Sequence, residues 1–227
     1  MAQPVGPARR ALTVLDQETY LDRWAAAHGG YDPRGSVWAR TWLRLAYVLG
    51  APLARAGVRP HALTLAGLAV CALVPVAAGA AGPLAAAPLV ALSGLLDSLD
   101  GTVAVLRGRV TAVGYVLDSL TDRLGEALYL WGLWLLGAPA WLCVLAGALA
   151  WLLEYTRARA VAGGMAEIGV VTVWERATRV AVTTAGLLVA GVTGSAAVTV
   201  TATAWALLGV VGLAQLLVVV SRRLAGR

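Results

Sequence analysis

The sequence contains no lysine, asparagine or phenylalanine, and only 13% of its 227 residues are charged. Its 18 basic residues are therefore all arginines. So little charge, combined with 59% hydrophobic residues and a mean hydropathy of +0.77, excludes an ordinary soluble domain. The composition predicts an integral membrane protein that has no nucleic-acid partner.

Cysteine is almost as scarce, with only Cys71 and Cys143 in the chain. Both lie within apolar runs, and their spacing matches no metal-binding knuckle, so we interpret them as packing residues. The first residues lack the apolar core and the cleavage site of a signal peptide. We therefore expect the first membrane span to act as its own insertion signal.

Long runs of alanine, leucine, valine and glycine recur between short polar breaks, and a helix needs about 20 such residues to cross a bilayer. They predict an all-α integral membrane protein with six transmembrane helices, near residues 62–80, 84–104, 113–136, 140–161, 176–193 and 196–220. An amphipathic juxtamembrane helix is predicted before the first span, where arginine alternates with apolar residues. It either braces the bundle or anchors the protein at the lipid surface; Gly50 and Gly57 would permit close packing and favour the brace.

All the arginines fall on one side of the predicted spans, whereas the opposite connections, "GAAGP", "LGAP" and "GVTGS", carry no charge. The positive-inside rule then places both termini and the arginine-bearing loops in the cytoplasm. An arginine-only basic set fits a GC-rich bacterial genome, so the expected location is the bacterial inner membrane. The expected segments are a cytoplasmic appendage (1–35), the interfacial helix (36–58), a six-helix domain (59–222) and a cytoplasmic tail (223–227).

Four aspartates interrupt the second and third predicted spans. Asp97 and Asp100 are three residues apart near the end of span two, and Asp118 and Asp122 are four apart near the start of span three. Residues at these separations share one face of a helix. Because span two enters the cytoplasmic interface where span three leaves it, we expect both pairs at the same shallow depth on adjacent antiparallel helices.

Partial burial of four carboxylates requires a compensating cation, because an aspartate at a bilayer centre costs roughly 2.5 to 3.5 kcal/mol and like charges repel. The segment contains no histidine or cysteine, so Mg²⁺ or Mn²⁺ is expected rather than zinc. The acids can hold one ion or a pair, and a metal pair is the usual clamp for displacement at phosphorus. Gly101, Ala104 and Gly114 keep the same face free of bulk, either for a nucleotide or diphosphate or for helix packing alone.

One pattern with seven fixed positions runs through this segment: Asp97-x2-Asp100-Gly101-x2-Ala104-x9-Gly114-x3-Asp118-x3-Asp122. At all seven positions it resembles the signature of the CDP-alcohol phosphotransferases, which move a phosphatidyl group from CDP-diacylglycerol to an alcohol. The resemblance extends from about residue 36 onward, because the family has six transmembrane helices after an amphipathic interfacial helix. It also implies two divalent ions and a homodimer.

For the mechanism, the resemblance implies that the acceptor hydroxyl attacks the β-phosphorus of CDP-diacylglycerol and that CMP leaves. Asp97, Asp100 and Asp118 would bind metal, and Asp122 would bind metal and also serve as the general base. The small residues of the signature, Gly101, Ala104 and Gly114, would line the CDP-lipid site.

This sequence departs from the family pattern at two points. The family usually has an arginine directly after the signature alanine, where this chain has Val105, and Arg107 is the candidate substitute. The family's Pro-Asn or Pro-Asp followed by x-x-Thr appears here as "RPHALT", which retains Thr64 but places His61 at the acid or amide position. Thr111 resembles the threonine that contacts the donor in the phosphatidylinositol phosphate synthases.

Four arginines follow at predicted cytoplasmic helix ends: Arg157 and Arg159 in "EYTRARAVAGG", and Arg176 and Arg179 in "WERATR". They are similar to the acceptor-phosphate pocket of those synthases, although lysine is usual where Arg157 stands. A guanidinium cluster binds phosphate well. The alternative is that these residues only fix topology and contact anionic lipid headgroups.

The sequence leaves two alternatives for the identity of the acceptor alcohol. If the arginines bind phosphate, the acceptor is inositol phosphate or glycerol phosphate; if not, a lipid alcohol such as phosphatidylglycerol, giving cardiolipin, is expected. Glu126 and Glu154 are expected to be structural partners of the arginines. The competing classes are a small transporter or channel lined by acids, and a family member that binds CDP-lipid without turnover.

Overall fold

The computed structural model describes residues 15–27, 30, 32–165 and 171–224. In these ranges the chain forms α-helices and one 3-10 turn at Pro33–Gly35, without any strand. The α-helices are α1 (Gln17–Ala27), α2 (Val37–Arg55), α3 (Pro60–Ala81), α4 (Pro83–Leu106), α5 (Ala112–Leu135), α6 (Ala140–Ala162), α7 (Arg176–Thr193) and α8 (Ala196–Leu224). The all-α class is confirmed; residues 1–14 of the predicted appendage and 225–227 of the predicted tail lie outside the described residues.

Each of the six predicted spans coincides with one helix, from α3 to α8. In the described ranges, α3, α4 and α8 are long and apolar enough to cross a membrane. The other three helices are interrupted by charged residues, among them Asp118 and Asp122 in α5, Arg157 in α6 and Arg179 in α7. The protein thus has helices suited to a bilayer, and the count of six spans stays a prediction.

Two groups of buried apolar side chains hold the helices together. The larger group spans α3 to α8 and includes Val90, Leu133 and Leu216, each fully buried, together with Trp174 and Trp205, whose rings meet edge to face at 5.1 Å. Such edge-to-face aromatic pairs are favourable beyond the area that they bury. The smaller group joins α1 and α2 to α3 and α4.

The helix α1 is an element that the sequence did not predict, since residues 1–35 were interpreted only as a polar appendage. It is fixed to α4 by Tyr20, whose hydroxyl is 3.0 Å from that of Thr102, and by fully buried Leu21. A hydrogen bond of this kind contributes about 1 kcal/mol. The N-terminal helix is therefore docked on the bundle close to the aspartates of α4.

The helix α2 packs against α4 in the manner of a brace. A Cβ built on Gly50 would lie 2.6 Å from Cγ2 of Thr102, so only glycine permits this approach. The expectation for Gly57 was wrong: no described atom lies within 4 Å of a Cβ there, and its φ of +81° instead makes it a turn residue at the end of the helix. The two predicted packing cysteines, Cys71 and Cys143, are both free and buried.

Candidate functional site

The candidate site forms where α4 ends and α5 begins. The helix α4 ends at Leu106, Gly108 takes a left-handed φ of +60°, and Thr111 caps α5 by accepting a hydrogen bond from the backbone N–H of Gly114 at 3.1 Å. Glycine adopts this backbone without strain, and threonine is a favourable N-cap. The chain therefore reverses within a few residues and brings the acids of α4 beside those of α5.

Three of the four predicted acids converge. Asp97, Asp118 and Asp122 each offer one carboxylate oxygen, and these oxygens lie within 4.8 Å of one another. The side chains of Asp97 and Asp122 are 26% and 14% exposed, so the cluster is recessed but not sealed from solution. Oxygen ligands from two helices are thus placed close enough to share a cation.

Asp100 has a different environment from the other three. Its side chain is buried, and its Oδ2 accepts a hydrogen bond from the hydroxyl of Thr64 on α3 at 2.5 Å. It lies outside the group of converging oxygens. The structure therefore joins two sequence-predicted residues, Thr64 and Asp100, and leaves a metal-binding role for Asp100 as a prediction.

Arg176 lies among the acids. Its Nε is 3.1 Å from Oδ2 of Asp97 and 2.8 Å from Oδ1 of Asp122, and its Nη1 donates a hydrogen bond to the backbone carbonyl of Asp122 at 3.1 Å. The first residue of α7 thus supplies positive charge to carboxylates of α4 and α5. The sequence groups Arg176 with the acceptor arginines, and its spacing from the aspartates gives no sign of this contact.

The donor set fits a hard divalent cation. It consists of oxygen atoms, which Mg²⁺ and Mn²⁺ prefer. In addition, Oδ1 of Asp122 is buried without a hydrogen-bond partner among the described residues. A buried oxygen with open lone pairs is costly unless a cation or a donor satisfies it.

The predicted donor-binding residues cluster at the adjoining ends of α3, α4 and α5. A Cβ built on Gly114 would lie 3.1 Å from Cε1 of His61, so these two residues are neighbours at the site. Gly101 is exposed, and within the described ranges nothing lies within 4 Å of a Cβ built there. Ala104, one turn later, is half-buried. The surface is therefore open at Gly101.

Arg107 has a structural role in this arrangement. Its Nη1 donates hydrogen bonds to the backbone carbonyls of Gly57 and Val58, both at 2.6 Å. These contacts tie the end of α4 to the turn between α2 and α3. Val105, the position where the signature usually has arginine, is buried beside α1 and, together with Arg23 of α1, lines a cavity of about 260 Å³.

A network of ion pairs lies behind the acids, between α5, α6 and α7. Arg179 is fully buried, and its guanidinium lies 2.7 Å from Glu126 and 3.2 Å from Glu154. It also donates to the backbone carbonyl of Trp174 at 2.7 Å. The expectation that Glu126 and Glu154 are partners of the arginines is confirmed.

The other two acceptor candidates differ in accessibility. Arg157 is 21% exposed and lies 2.8 Å from Glu175, whose carboxylate also accepts from the backbone N–H and hydroxyl of Thr172. Arg159 is exposed. The structure thus brings Arg157 and Arg179 into one network of carboxylates, and Arg176 into the acid cluster.

Sequence reasoning missed two charged residues of this region. Glu175 holds Arg157, and Arg123 lies 2.9 Å from Glu126 and 3.6 Å from Asp122. Both residues stand directly beside predicted site residues in the sequence, which is the signal that a charge-balance argument would have used. Each of these residues offsets the opposite charge of its partner in a partly buried region.

An apolar helix bundle with a recessed carboxylate cluster, backed by ion-paired arginines, defines a class: helical membrane proteins with an acidic site that fits a divalent cation. The family follows from comparison with known proteins. The sequence model of the CDP-alcohol phosphatidyltransferase family matches residues 58–221, so this chain belongs to that family.

Relatives of this chain occur in archaea and mycobacteria. The archaetidylinositol phosphate synthases of Pyrococcus horikoshii and Aeropyrum pernix are 31% and 36% identical over 125 and 131 residues, in each case 54% of this chain. The matched segments cover only 65% and 63% of those two relatives. The phosphatidylinositol phosphate synthase of Mycobacteroides abscessus is 28% identical over 169 residues, covering 69% of this chain and 74% of the relative.

The fold is also that of solved structures. The crystal structure of Mycobacterium tuberculosis phosphatidylinositol phosphate synthase with CDP-DAG bound matches 78% of this chain and 94% of its own, with a TM-score of 0.65 and 25% identity. The same synthase in complex with manganese and citrate matches 77% of this chain and 88% of its own, also with a TM-score of 0.65. The helix bundle of this chain is therefore similar to one that has been solved with a nucleotide-linked lipid and with a divalent metal.

Proposed function

We propose that this chain transfers a phosphatidyl-type group from CDP-diacylglycerol to a phosphorylated polyol, with release of CMP, in phospholipid biosynthesis. The observation that carries the proposal is the convergence of Asp97, Asp118 and Asp122 within 4.8 Å in a member of this family. Acids clustered at one level suit a diphosphate site better than a transport pathway, where acids are distributed through the membrane depth.

Asp97, Asp118 and Asp122 would hold Mg²⁺ or Mn²⁺, with Asp100 as a fourth ligand and two ions in all, as the family resemblance implies. When bound, the metal would neutralise the diphosphate of the donor. A manganese complex of a solved relative supports this assignment.

The reaction forms one bond and breaks one. The acceptor hydroxyl oxygen bonds to the β-phosphorus of CDP-diacylglycerol, while the bond from that phosphorus to the oxygen shared with CMP breaks, and its electron pair leaves with CMP. The hydroxyl proton passes to the carboxylate of Asp122, the base. Positioning of the two substrates supplies much of the rate.

The donor site comprises the residues at the adjoining helix ends: His61, Thr64, Gly101, Ala104, Arg107, Thr111 and Gly114. Their small side chains, hydroxyls and basic groups suit a nucleotide diphosphate. The contact of His61 with Gly114 and that of Thr64 with Asp100 support a common surface. In this surface Arg107 acts through the turn that it holds at Gly57 and Val58.

The acceptor is an inositol phosphate, held by the guanidinium groups of Arg157, Arg159 and Arg176, with buried Arg179 behind them as the partner of Glu126 and Glu154. Two observations support this choice: the first favours inositol phosphate over glycerol phosphate, and the second favours a phosphorylated acceptor over a lipid alcohol. The relatives in archaea and in mycobacteria are both named as synthases of inositol phosphate lipids. The arginines also lie towards the end of α6 and at the start of α7, and Arg176 among them is 2.8 Å from Asp122 of the acid cluster.

The protein crosses the bacterial inner membrane six times, through α3 to α8, with both termini and the site facing the cytoplasm. Residues 59–222 form the catalytic domain, preceded by the interfacial helix and the appendage. The family resemblance adds a homodimer. The one-sided distribution of arginine supports this orientation.

An assay of CMP release tests the proposal. The purified full chain is incubated in detergent with CDP-diacylglycerol and Mn²⁺ or Mg²⁺, and separately with inositol phosphate, glycerol phosphate, inositol and phosphatidylglycerol, and the lipid product is separated. We expect metal-dependent CMP release with inositol phosphate above all other acceptors. Release with phosphatidylglycerol alone identifies a cardiolipin-type enzyme, and CDP-lipid binding without CMP release identifies a non-enzymatic binder; either result contradicts the proposal.

A further inference from the structure

Arg176 neutralises the same carboxylates that are placed to hold a metal. Its Nε lies 3.1 Å from Asp97 and 2.8 Å from Asp122, and its side chain is only 15% exposed. A half-buried carboxylate pair needs a cation, since desolvation and mutual repulsion both oppose two adjacent negative charges. In this structure the guanidinium meets that need.

The contact leaves the coordination of the acids incomplete. Nε of Arg176 and Oδ1 of Asp122 are close, yet neither atom makes a hydrogen bond within the part of the chain that the structure describes. The directed hydrogen bond of the guanidinium goes instead from Nη1 to the backbone carbonyl of Asp122. The interaction with the carboxylate is therefore one of charge, and lone pairs of Oδ1 remain open to a better ligand.

We propose that Arg176 is the internal counter-ion of this cluster, and that a divalent cation binds by displacing its guanidinium from Asp97 and Asp122. A guanidinium and a divalent ion cannot both lie within 3 Å or so of the same two carboxylates without strong repulsion. The side chain of Arg176 has several rotatable bonds, so the displacement requires no movement of α7. The inference rests on the metal centre of the proposed function.

Direct measurement of Mn²⁺ binding tests this competition without any assay of activity. The purified full chain in detergent is titrated with Mn²⁺, and the free ion is quantified by electron paramagnetic resonance. We expect Arg176→Gln to bind Mn²⁺ about tenfold more tightly than the wild type, because the competing charge is gone. The matched control is Arg34→Gln, which removes an equal charge from a residue paired with Glu18 and Asp22 outside the site, and the Mn²⁺ affinity of this variant should change by less than about twofold.

A free guanidinium compound tests whether Mn²⁺ competes with the guanidinium group itself or only with positive charge in general. In Arg176→Ala, methylguanidinium should weaken Mn²⁺ binding more than tetramethylammonium at equal ionic strength, because it refills the vacated position; the wild type should not distinguish the two salts. If Arg176→Gln does not yield a folded protein, Arg176→Lys keeps the charge on a shorter, more mobile group and should give an intermediate gain in affinity.

The outcomes are distinct. Equal tightening of Mn²⁺ binding in Arg176→Gln and Arg34→Gln would overturn the proposal, because net charge alone would then account for the effect. Unchanged or weaker Mn²⁺ binding in folded Arg176→Gln or Arg176→Lys would also overturn it. Absence of Mn²⁺ binding in the wild type and in both Arg176 variants would instead remove the metal centre on which the proposed function depends.

Discussion

At the scale of single residues, the carboxylate of Asp122 takes part in several interactions at once. Its carboxylate converges with those of Asp97 and Asp118, lies against Arg176, and has one buried oxygen without a hydrogen-bond partner in the described ranges. An oxygen in that position is available to a metal or to a proton. The proposed mechanism uses the same group in both ways.

We expect Asp122→Asn to lower kcat for CMP release by about a thousandfold or more, because an amide keeps the volume of the side chain but cannot accept the hydroxyl proton. Binding of CDP-diacylglycerol, measured by equilibrium dialysis, should weaken by less than about tenfold, since other acids remain.

The control for this variant is Asp22→Asn. Asp22 is 67% exposed and paired with Arg34, outside the site, so CMP release should be unchanged. Near-normal turnover in Asp122→Asn would exclude Asp122 as the base.

At the scale of helices, close crossings decide how the acids are presented. Gly94 lies on α4 one turn before Asp97, and a Cβ built on it would lie 2.7 Å from Cγ1 of Val180 on α7. The helix that carries two acids and the helix that carries Arg176 therefore approach each other through a position without a side chain. Small residues allow such approaches between membrane helices.

We expect Gly94→Ala to destabilise the fold by about 1 to 3 kcal/mol, because the added methyl group must displace a β-branched neighbour. Thermal unfolding in detergent can be followed with a thiol-reactive dye, since Cys71 and Cys143 are buried until the bundle opens.

Gly101→Ala is the matched control on the same helix. Within the described ranges no atom lies near its Cβ position, so the gain in helix propensity should leave the midpoint unchanged or slightly higher. Equal destabilisation of both variants would show that α4 is sensitive to any added methyl group, contrary to the crossing argument.

Helix boundaries were well predicted where composition alone decides them. Apolar runs bounded by proline, glycine or charge gave α3 to α8 because a bilayer-length helix must satisfy its own backbone. The helix α1 was missed because its sequence is polar, and its place depends on the distant contacts of Tyr20 and Leu21 with α4. No local pattern in residues 17–27 encodes those contacts.

At the scale of the whole molecule, Arg179 links α5, α6 and α7. The side chain is fully buried, with Glu126 at 2.7 Å and Glu154 at 3.2 Å, and it holds the carbonyl of Trp174 before α7. Removal of one partner from a buried ion pair is costly because the other charge is left uncompensated. Arg179 therefore stabilises the packing of these three helices, in addition to any contact with an acceptor.

We expect Arg179→Met to destabilise the protein by about 3 to 5 kcal/mol in thermal unfolding, as Glu126 would then depend on Arg123 alone. Adding Glu126→Gln to the same chain should restore part of the loss, since the uncompensated charge is removed.

The exposed Arg159 provides the control, and Arg159→Met should shift stability by no more than about 0.5 kcal/mol. An unchanged unfolding midpoint in Arg179→Met, with a raised KM for inositol phosphate, would assign Arg179 to the acceptor instead of to the fold.

By itself, the sequence determined the membrane class, the helical runs and the spacing of the four aspartates, because those depend on neighbours within one helix. Only the tertiary structure decided which acids converge, that Asp100 faces Thr64, and that Arg176 lies between Asp97 and Asp122. Arg176 and Asp122 are 54 residues apart in the chain. A contact between them depends on how α5 and α7 pack, and helix periodicity carries no information about that packing.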